Sequence, residues 1–221
     1  MRRSLTLVLV LACAACARQR INPLPSPATR AASPPRVVLA GSPTLGRSSV
    51  SATETVSYIL TRGMQIPVAG VTVGQLEDTF DEGRDGGRVH RALDILAARG
   101  TPVIAADSGR ILRVSANALG GNTIYATDPM GRVVYYYAHL DAYQPGLAQG
   151  AAVARGDTLG FVGTTGNAPK DTPHLHFQVM RMPPDGRYWD GEAINPYPLF
   201  LLTHDTARHD PLVEGARGAP R

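Results

Sequence analysis

Four histidines and one aspartate carry the chemistry that this chain could perform. His174-Leu175-His176 sits in a strand-like run. At ~3.3 Å per residue, side chains two apart share a face, with backbones roughly 7 Å apart. Both imidazoles can then approach one metal ion, or one can bind it while the other faces a substrate, and Leu175 turns to the opposite face and a core. His90 and Asp94 offer an imidazole and a carboxylate four residues apart. On a straight strand they would stand ~13 Å apart, so they share a metal only if the chain turns between them. His139 ends the run Tyr135-Tyr136-Tyr137-Ala138 and precedes Leu140-Asp141. Taken singly, the HxH pair reads equally well as two surface histidines, whereas His90 with Asp94 reads sooner as a surface histidine with a turn or capping residue, and His139 as a structural or exposed histidine. Their combination points to a metal centre, because three segments each set a histidine beside an apolar strand. Two histidines and one carboxylate on zinc leave the fourth position to water. Bound water then has a pKa near ~7, and hydroxide is available at neutral pH. The two remaining histidines, His204 and His209, fall in the C-terminal tail.

These groups need strands to hold them. Val103–Ala105, Gly109–Val114, Asn122–Ala126, Val133–Ala138, Thr158–Val162 and His174–Val179 are rich in β-branched and aromatic residues and are separated by Gly, Asp and Pro. Asp128-Pro129-Met130-Gly131 has the composition of a hairpin turn. Short strands at this spacing predict a mainly β, antiparallel domain. Ahead of it, Ser51-Ala52-Thr53-Glu54 has capping-box spacing, and Val56, Ile59 and Leu60 follow at helical intervals. One short helix over about 52–62, ending at Gly63, is predicted.

The first fifty residues read differently. Met1-Arg2-Arg3 is basic, and Leu5 to Ala12 is apolar but too short to span ~30 Å of hydrocarbon as a helix. This is the pattern of an export signal, 1–15. Ala14-Ala15 before Cys16 resembles a bacterial lipoprotein signal with Cys16 as the lipidated residue; Cys13, or an ordinary secretory cleavage near Ala15 or Ala17, are the alternatives. Residues 16–50 hold six prolines among Ser, Ala and Arg and read as an extended tether. A helical lead-in over 51–65, a folded domain over 66–202 and a fraying tail over 203–221 complete the organisation.

Composition narrows the classes. Of 221 residues, 43% are hydrophobic and 18% charged, which permits a packed core and argues against a charged disordered chain. Two cysteines, both in the first sixteen residues, support neither a disulfide scaffold nor an all-cysteine zinc site. The net charge of +4 falls to +2 once Arg2 and Arg3 are removed, and aromatics are 6%, so nucleic acid is not an expected partner.

From about Ile66 to Leu202 the sequence resembles the lysostaphin-type, or LytM-type, zinc metallopeptidases of the M23 family. The pieces that carry the resemblance are Gly87-Arg88-Val89-His90-Arg91-Ala92-Leu93-Asp94-Ile95, Gly100-Thr101-Pro102-Val103, Tyr137-Ala138-His139-Leu140, Val153-Ala154-Arg155-Gly156-Asp157, Gly163-Thr164-Thr165-Gly166 and His174-Leu175-His176-Phe177. It implies a LytM-type antiparallel β-sheet or sandwich with a short N-terminal helix. It implies Zn2+ on His90, Asp94 and His176, with His139 and His174 as non-ligand catalytic histidines. It further implies peptidoglycan peptides as substrate, with a D-Ala–diaminopimelate cross-link favoured in a diderm. The expected location is the cell envelope or periplasm, as a lipoprotein anchored to the membrane, the outer membrane in a diderm. Two departures stand out: Ala92 occupies the place of the family's usual glycine, so the turn there must avoid a left-handed residue, and Asn167–Pro173 replaces a Ser-Thr-Gly-Pro loop before the HLH motif. The alternatives are a non-catalytic wall-binding or hydrolase-activator module of the same fold, and a biotinyl-like carrier, against which Lys170, the only lysine, lies in a loop.

Overall fold

A computed structural model describes residues 51–208. The expected export signal, the Cys16 lipid site, the tether and the tail beyond Arg208 lie outside the described residues.

The chain begins with helix α1, Ala52–Arg62. Its start is a complete capping box: Ser51 Oγ accepts the Glu54 N–H at 3.2 Å, and the Glu54 carboxylate accepts the Ser51 N–H at 2.7 Å. It stops at Gly63, whose left-handed backbone (φ 66°) turns its N–H back onto Ile59 and Leu60 carbonyls. Ile59 is fully buried. Two polar clamps fix the helix to the body: Arg62 makes two 2.8 Å bonds to Asp107, and Tyr58 donates to Asp128 at 2.6 Å.

Twelve strands follow: β1 Gly83–Arg84, β2 Arg88–Val89, β3 Leu93–Leu96, β4 Pro102–Ile104, β5 Gly109–Asn117, β6 Gly121–Thr127, β7 Val133–Leu140, β8 Ala142–Tyr143, β9 Ala152–Val153, β10 Thr158–Phe161, β11 His174–Arg181 and β12 Glu192–Ile194. All pairings are antiparallel. The main sheet has seven strands in the order β12-β11-β7-β6-β5-β9, with β3 also on β11. A second sheet has the order β4-β10-β8, and β1 pairs with β2 alone. The Asp128–Gly131 hairpin turn forms because the Asp128 carboxylate accepts the N–H groups of Met130, Arg132 and Val133, at 2.6–2.9 Å.

Alternation sorts the faces of the main sheet. Tyr135 and Tyr137 of β7 and Leu175, Phe177 and Val179 of β11 enter one core with Leu93, Ile95, Val103, Leu159 and Ile59. His174, His176 and Gln178 of β11 take the opposite face, with Tyr136 and Ala138 of β7.

Two elements depart from the expected pattern. Strand β3, which carries Asp94, is not announced by its composition, because pairing with β11 rather than propensity makes it a strand. The C-terminal segment is helical over Pro196–Arg208, as helix α2, which runs past the boundary expected at Leu202. Pro196 and Pro198 look like breakers but stand in the first turn, where a missing N–H costs nothing. Leu199 and Phe200 bury the helix against the core.

Candidate metal centre

The register of β3, β11 and β7 builds the site. His176 pairs directly with Asp94 on one side and with Ala138 on the other. Cross-strand partners hold Cβ atoms about 5 Å apart, so this register alone sets a carboxylate beside an imidazole. His174 projects from the same face two residues earlier.

His90 reaches the same point through a backbone reversal at Arg91, which adopts a left-handed conformation (φ 58°). The His90 N–H donates to Glu82 O at 2.9 Å and the Arg91 N–H to Phe80 O at 2.8 Å, which anchors the reversal. Ala92 is fully buried and has an ordinary negative φ. The turn that the sequence requires between His90 and Asp94 is therefore made one residue before the alanine.

The result is a triangle of donor atoms. His90 Nε2 lies 3.0 Å from His176 Nδ1 and 3.0 Å from Asp94 Oδ1, and the last two are 3.2 Å apart. A tetrahedral ion with N and O ligands at 2.0–2.1 Å has ligand–ligand edges of about 3.3 Å. The triangle matches that within a few tenths of an ångström, and these three residues form a metal-capable cluster among the described residues. His90 Nδ1 lies 2.8 Å from Thr79 O. A carbonyl only accepts, so Nδ1 carries the proton and Nε2 presents its lone pair inward. Burial raises the Asp94 carboxyl pKa, but the His176 and His90 imidazoles beside it outweigh that and hold the group well below the usual carboxylate range.

His174 and His139 complete the cluster at longer range. His174 Nε2 is 3.8 Å from Asp94 Oδ1, and its Nδ1 donates to Thr172 O at 2.8 Å. His139 has the same side-chain parity as Tyr137 and on a regular strand would enter the core. A β-bulge redirects it: Asn122 pairs with Leu140 and Ile124 with Tyr137, so three residues of β7 span what two of β6 span. His139 takes a left-handed backbone (φ 62°). Its ring then stands 5.0 Å from the His174 ring and 5.6 Å from that of His176, while Leu140 returns to the core. His139 Nδ1 donates to Thr165 O at 2.9 Å, leaving Nε2 bare. Burial, reinforced by His176, pushes its pKa down to about 4, so the ring is neutral at physiological pH. Thr165 is held by a close backbone approach: a Cβ on Gly121 would lie 2.4 Å from Gly166 N and one on Gly166 2.3 Å from Gly121 N.

The cluster floors a cleft of about 490 Å³, with Arg84 and Arg88 on one wall and the Asn167–Thr172 loop on another. Val89, Leu96 and Leu119, all exposed apolar side chains, form its rim. Arg84 and Thr79 are site residues that motif reading misses, and Thr165, although it stands in the Gly163-Thr164-Thr165-Gly166 piece, is given no role by it. Arg84 donates to Asp94 Oδ2 at 2.6 Å and thereby leaves Oδ1 to face the histidines. Thr79 accepts from His90 through its carbonyl and from the Asp94 N–H through its hydroxyl at 3.0 Å. Backbone carbonyls acting at a distance leave no signal in sequence.

Residues 88–196 match the family model described as Peptidase family M23. The chain is 33% identical over 122 residues to an L-Ala–D-Glu endopeptidase of Bacillus subtilis, covering 52% of this chain and 36% of that protein. It is 32% identical over 93 residues to the peptidoglycan DD-endopeptidase ShyC of Vibrio cholerae, covering 42% of this chain and 20% of that one. The chain thus spans about a third or less of the length of these curated relatives. Among solved structures, lytM from Ruminococcus gnavus superposes with a TM-score of 0.50 at 28% identity, over 59% of this chain and 54% of that chain.

Proposed function

We propose, from the match of residues 88–196 to the model of peptidase family M23, that this chain is a zinc metalloendopeptidase that hydrolyses an amide bond in the peptide part of bacterial peptidoglycan. The observation that carries the reading is the triangle of His90 Nε2, Asp94 Oδ1 and His176 Nδ1 at the floor of a cleft. Two imidazoles and one carboxylate suit Zn2+ with one coordination position open. Bound there, zinc supplies a Lewis acid for the scissile carbonyl and lowers the pKa of water. The chain's own residues do the rest. Arg84 and Thr79 hold Asp94 and His90 in their ligand geometry. His139 and His174 present bare Nε2 atoms beside the triangle, with Nδ1 protons fixed on Thr165 and Thr172 carbonyls. Either can take a proton from water and return it to the leaving amine. Either, once protonated, can donate to the developing oxyanion.

The relatives' names support a peptidoglycan peptide as substrate, and a D-Ala–diaminopimelate cross-link is the bond we favour for a diderm source. We place the enzyme in the cell envelope or periplasm, exported by residues 1–15, lipidated at Cys16 and joined to the membrane through the proline-rich 16–50 segment; the sequence pattern supports this.

The test is incubation of the protein with defined cross-linked muropeptides, with and without a chelator, read by mass spectrometry. Metal-dependent cleavage at one amide bond is expected. Zinc binding with no cleavage of any muropeptide would replace this reading with the non-catalytic wall-binding module.

A further inference from the structure

The site-bearing face of the main sheet carries a feature that hydrolysis does not use. Tyr136 lines the cleft, and its ring meets His176 edge-on at 6.1 Å. Its cross-strand partner Tyr125 lies 4.5 Å away, with ring planes 37° apart. Tyr188, in the short 3₁₀ turn Tyr188–Asp190 after β11, stands 5.1 Å from Tyr125. Trp189 stands 5.0 Å from Tyr188, perpendicular to it. Four rings therefore form a continuous row from a metal ligand outward to Trp189, which is 57% exposed.

The row is not core. The alternate tyrosines Tyr135 and Tyr137 and the ring of Phe177 occupy the buried face. A contiguous exposed apolar patch marks a binding surface, whereas single exposed apolar side chains are ordinary. Val89, Leu96 and Leu119 rim the cleft, and Trp189 ends the row that starts in it. The rings carry no charge: Tyr136, Tyr125 and Tyr188, 4.5–5.1 Å apart, cover part of one another's faces and present edges and hydroxyl groups, Gln178 faces Tyr136 across the β11–β7 pair, and the exposed Trp189 ends the row with open indole surface. That chemistry suits the apolar face and hydroxyl rim of a pyranose ring.

We propose that Tyr136, Tyr125, Tyr188 and Trp189 form a saccharide platform that seats an N-acetylhexosamine strand beside the cleft. The choice of saccharide rests on the peptidoglycan reading above: a stem peptide entering the cleft is attached to such a strand, and the platform is continuous with the cleft. The hydrolytic groups cut the peptide, while the platform holds the polymer that carries it.

Trp189 is the sole tryptophan, so its fluorescence reports the platform directly. Titrating the full chain with an N-acetylglucosamine tetramer is expected to give a saturable emission change, abolished in Tyr125→Ala. Because Tyr125 is half-buried, a second variant at an exposed position guards against misfolding: Trp189→Ala, titrated calorimetrically, should bind the tetramer about three- to tenfold more weakly. The turnover ratio for glycan-bearing over glycan-free cross-linked peptides should fall by a similar factor. Absence of an emission change, a change that survives in folded Tyr125→Ala, or a response to cross-linked peptide but not to the tetramer would each overturn the platform. If the tetramer binds but no peptide is ever cut, the platform stands and the peptidase reading fails. If peptides are cut and the tetramer leaves Trp189 untouched, the reverse holds.

Discussion

Replacing His139 separately by alanine and by glycine tests both the bulge and the role it serves. Both variants remove the same imidazole, so the hydrogen bond to Thr165 and the ring contacts with His174 and His176 are lost equally. They differ in the backbone, which is held at φ 62°. That conformation costs an L-residue about 1–2 kcal/mol and costs glycine nothing. In a regular strand glycine is worse than alanine by about 0.5–1 kcal/mol, through its greater freedom in the unfolded chain. Subtracting one from the other leaves glycine ahead by about 0.5–1 kcal/mol, the reverse of the usual strand order. Paired urea titrations resolve this, and in thermal unfolding it corresponds to a gap of about 1–4 °C for a unit of this size. Metal affinity, measured by competition with a chelator, should persist in both variants, and turnover on a cleavable muropeptide should fall in both by about 10²–10⁴. If alanine equals or exceeds glycine in stability, His139 is not held left-handed and the bulge does not aim it. If either variant releases the metal, His139 is a ligand and its proposed role is wrong.

His176→Ala should lose zinc and activity together, whereas His174→Ala should retain zinc in calorimetric titration and lose turnover. Chelation should lower the unfolding temperature, and restoring zinc to 100 times its Kd should return about 2.7 kcal/mol of stability in urea titrations. Asp107→Asn should destabilise the fold by about 2–3 kcal/mol at neutral pH, at or below the lower limit of about 3 kcal/mol for breaking a fully buried pair, because Arg62 and Arg155 are 28% and 36% exposed and can rehydrate. Burial raises the Asp107 pKa, but its bonds from Arg62 and Arg155 bring it below the ordinary value. Its contribution is therefore complete above the unfolded value near ~3.9 and is lost as pH falls below it. The gap between parent and variant should shrink in unfolding experiments carried into that acid range.

The sequence discloses those parts of the site that rest on local periodicity. The alternation of His174, Leu175 and His176 puts two imidazoles on one face, and the Ser51–Glu54 spacing marks the start of α1; both follow from geometry that neighbouring residues share. The placement of His139 is hidden, because its parity with Tyr137 points it into the core and only the extra residue of the bulge turns it out. The reversal between His90 and Asp94 is required by arithmetic yet sits at Arg91, a residue type that does not advertise a left-handed backbone. Strand β3 and the groups that hold Asp94, His90 and His139 in place, Arg84, Thr79 and Thr165, depend on contacts across the fold rather than along the chain. Helix α2 is obscured because prolines that usually end helices stand where one begins.

The clamps on α1 also have a mechanical consequence. A load on the chain ahead of Ser51 enters the domain through this helix, and it is borne at Asp107, before β5, and at Asp128, in the turn before β7. Arg132, stacked 5.0 Å over the Tyr58 ring, stiffens the second point. His139 lies six residues along β7 from Val133, about 20 Å at the strand rise. Tension applied ahead of Ser51 thus meets the body at one end of the sheet and reaches the histidines and Asp94 only through the length of the strands.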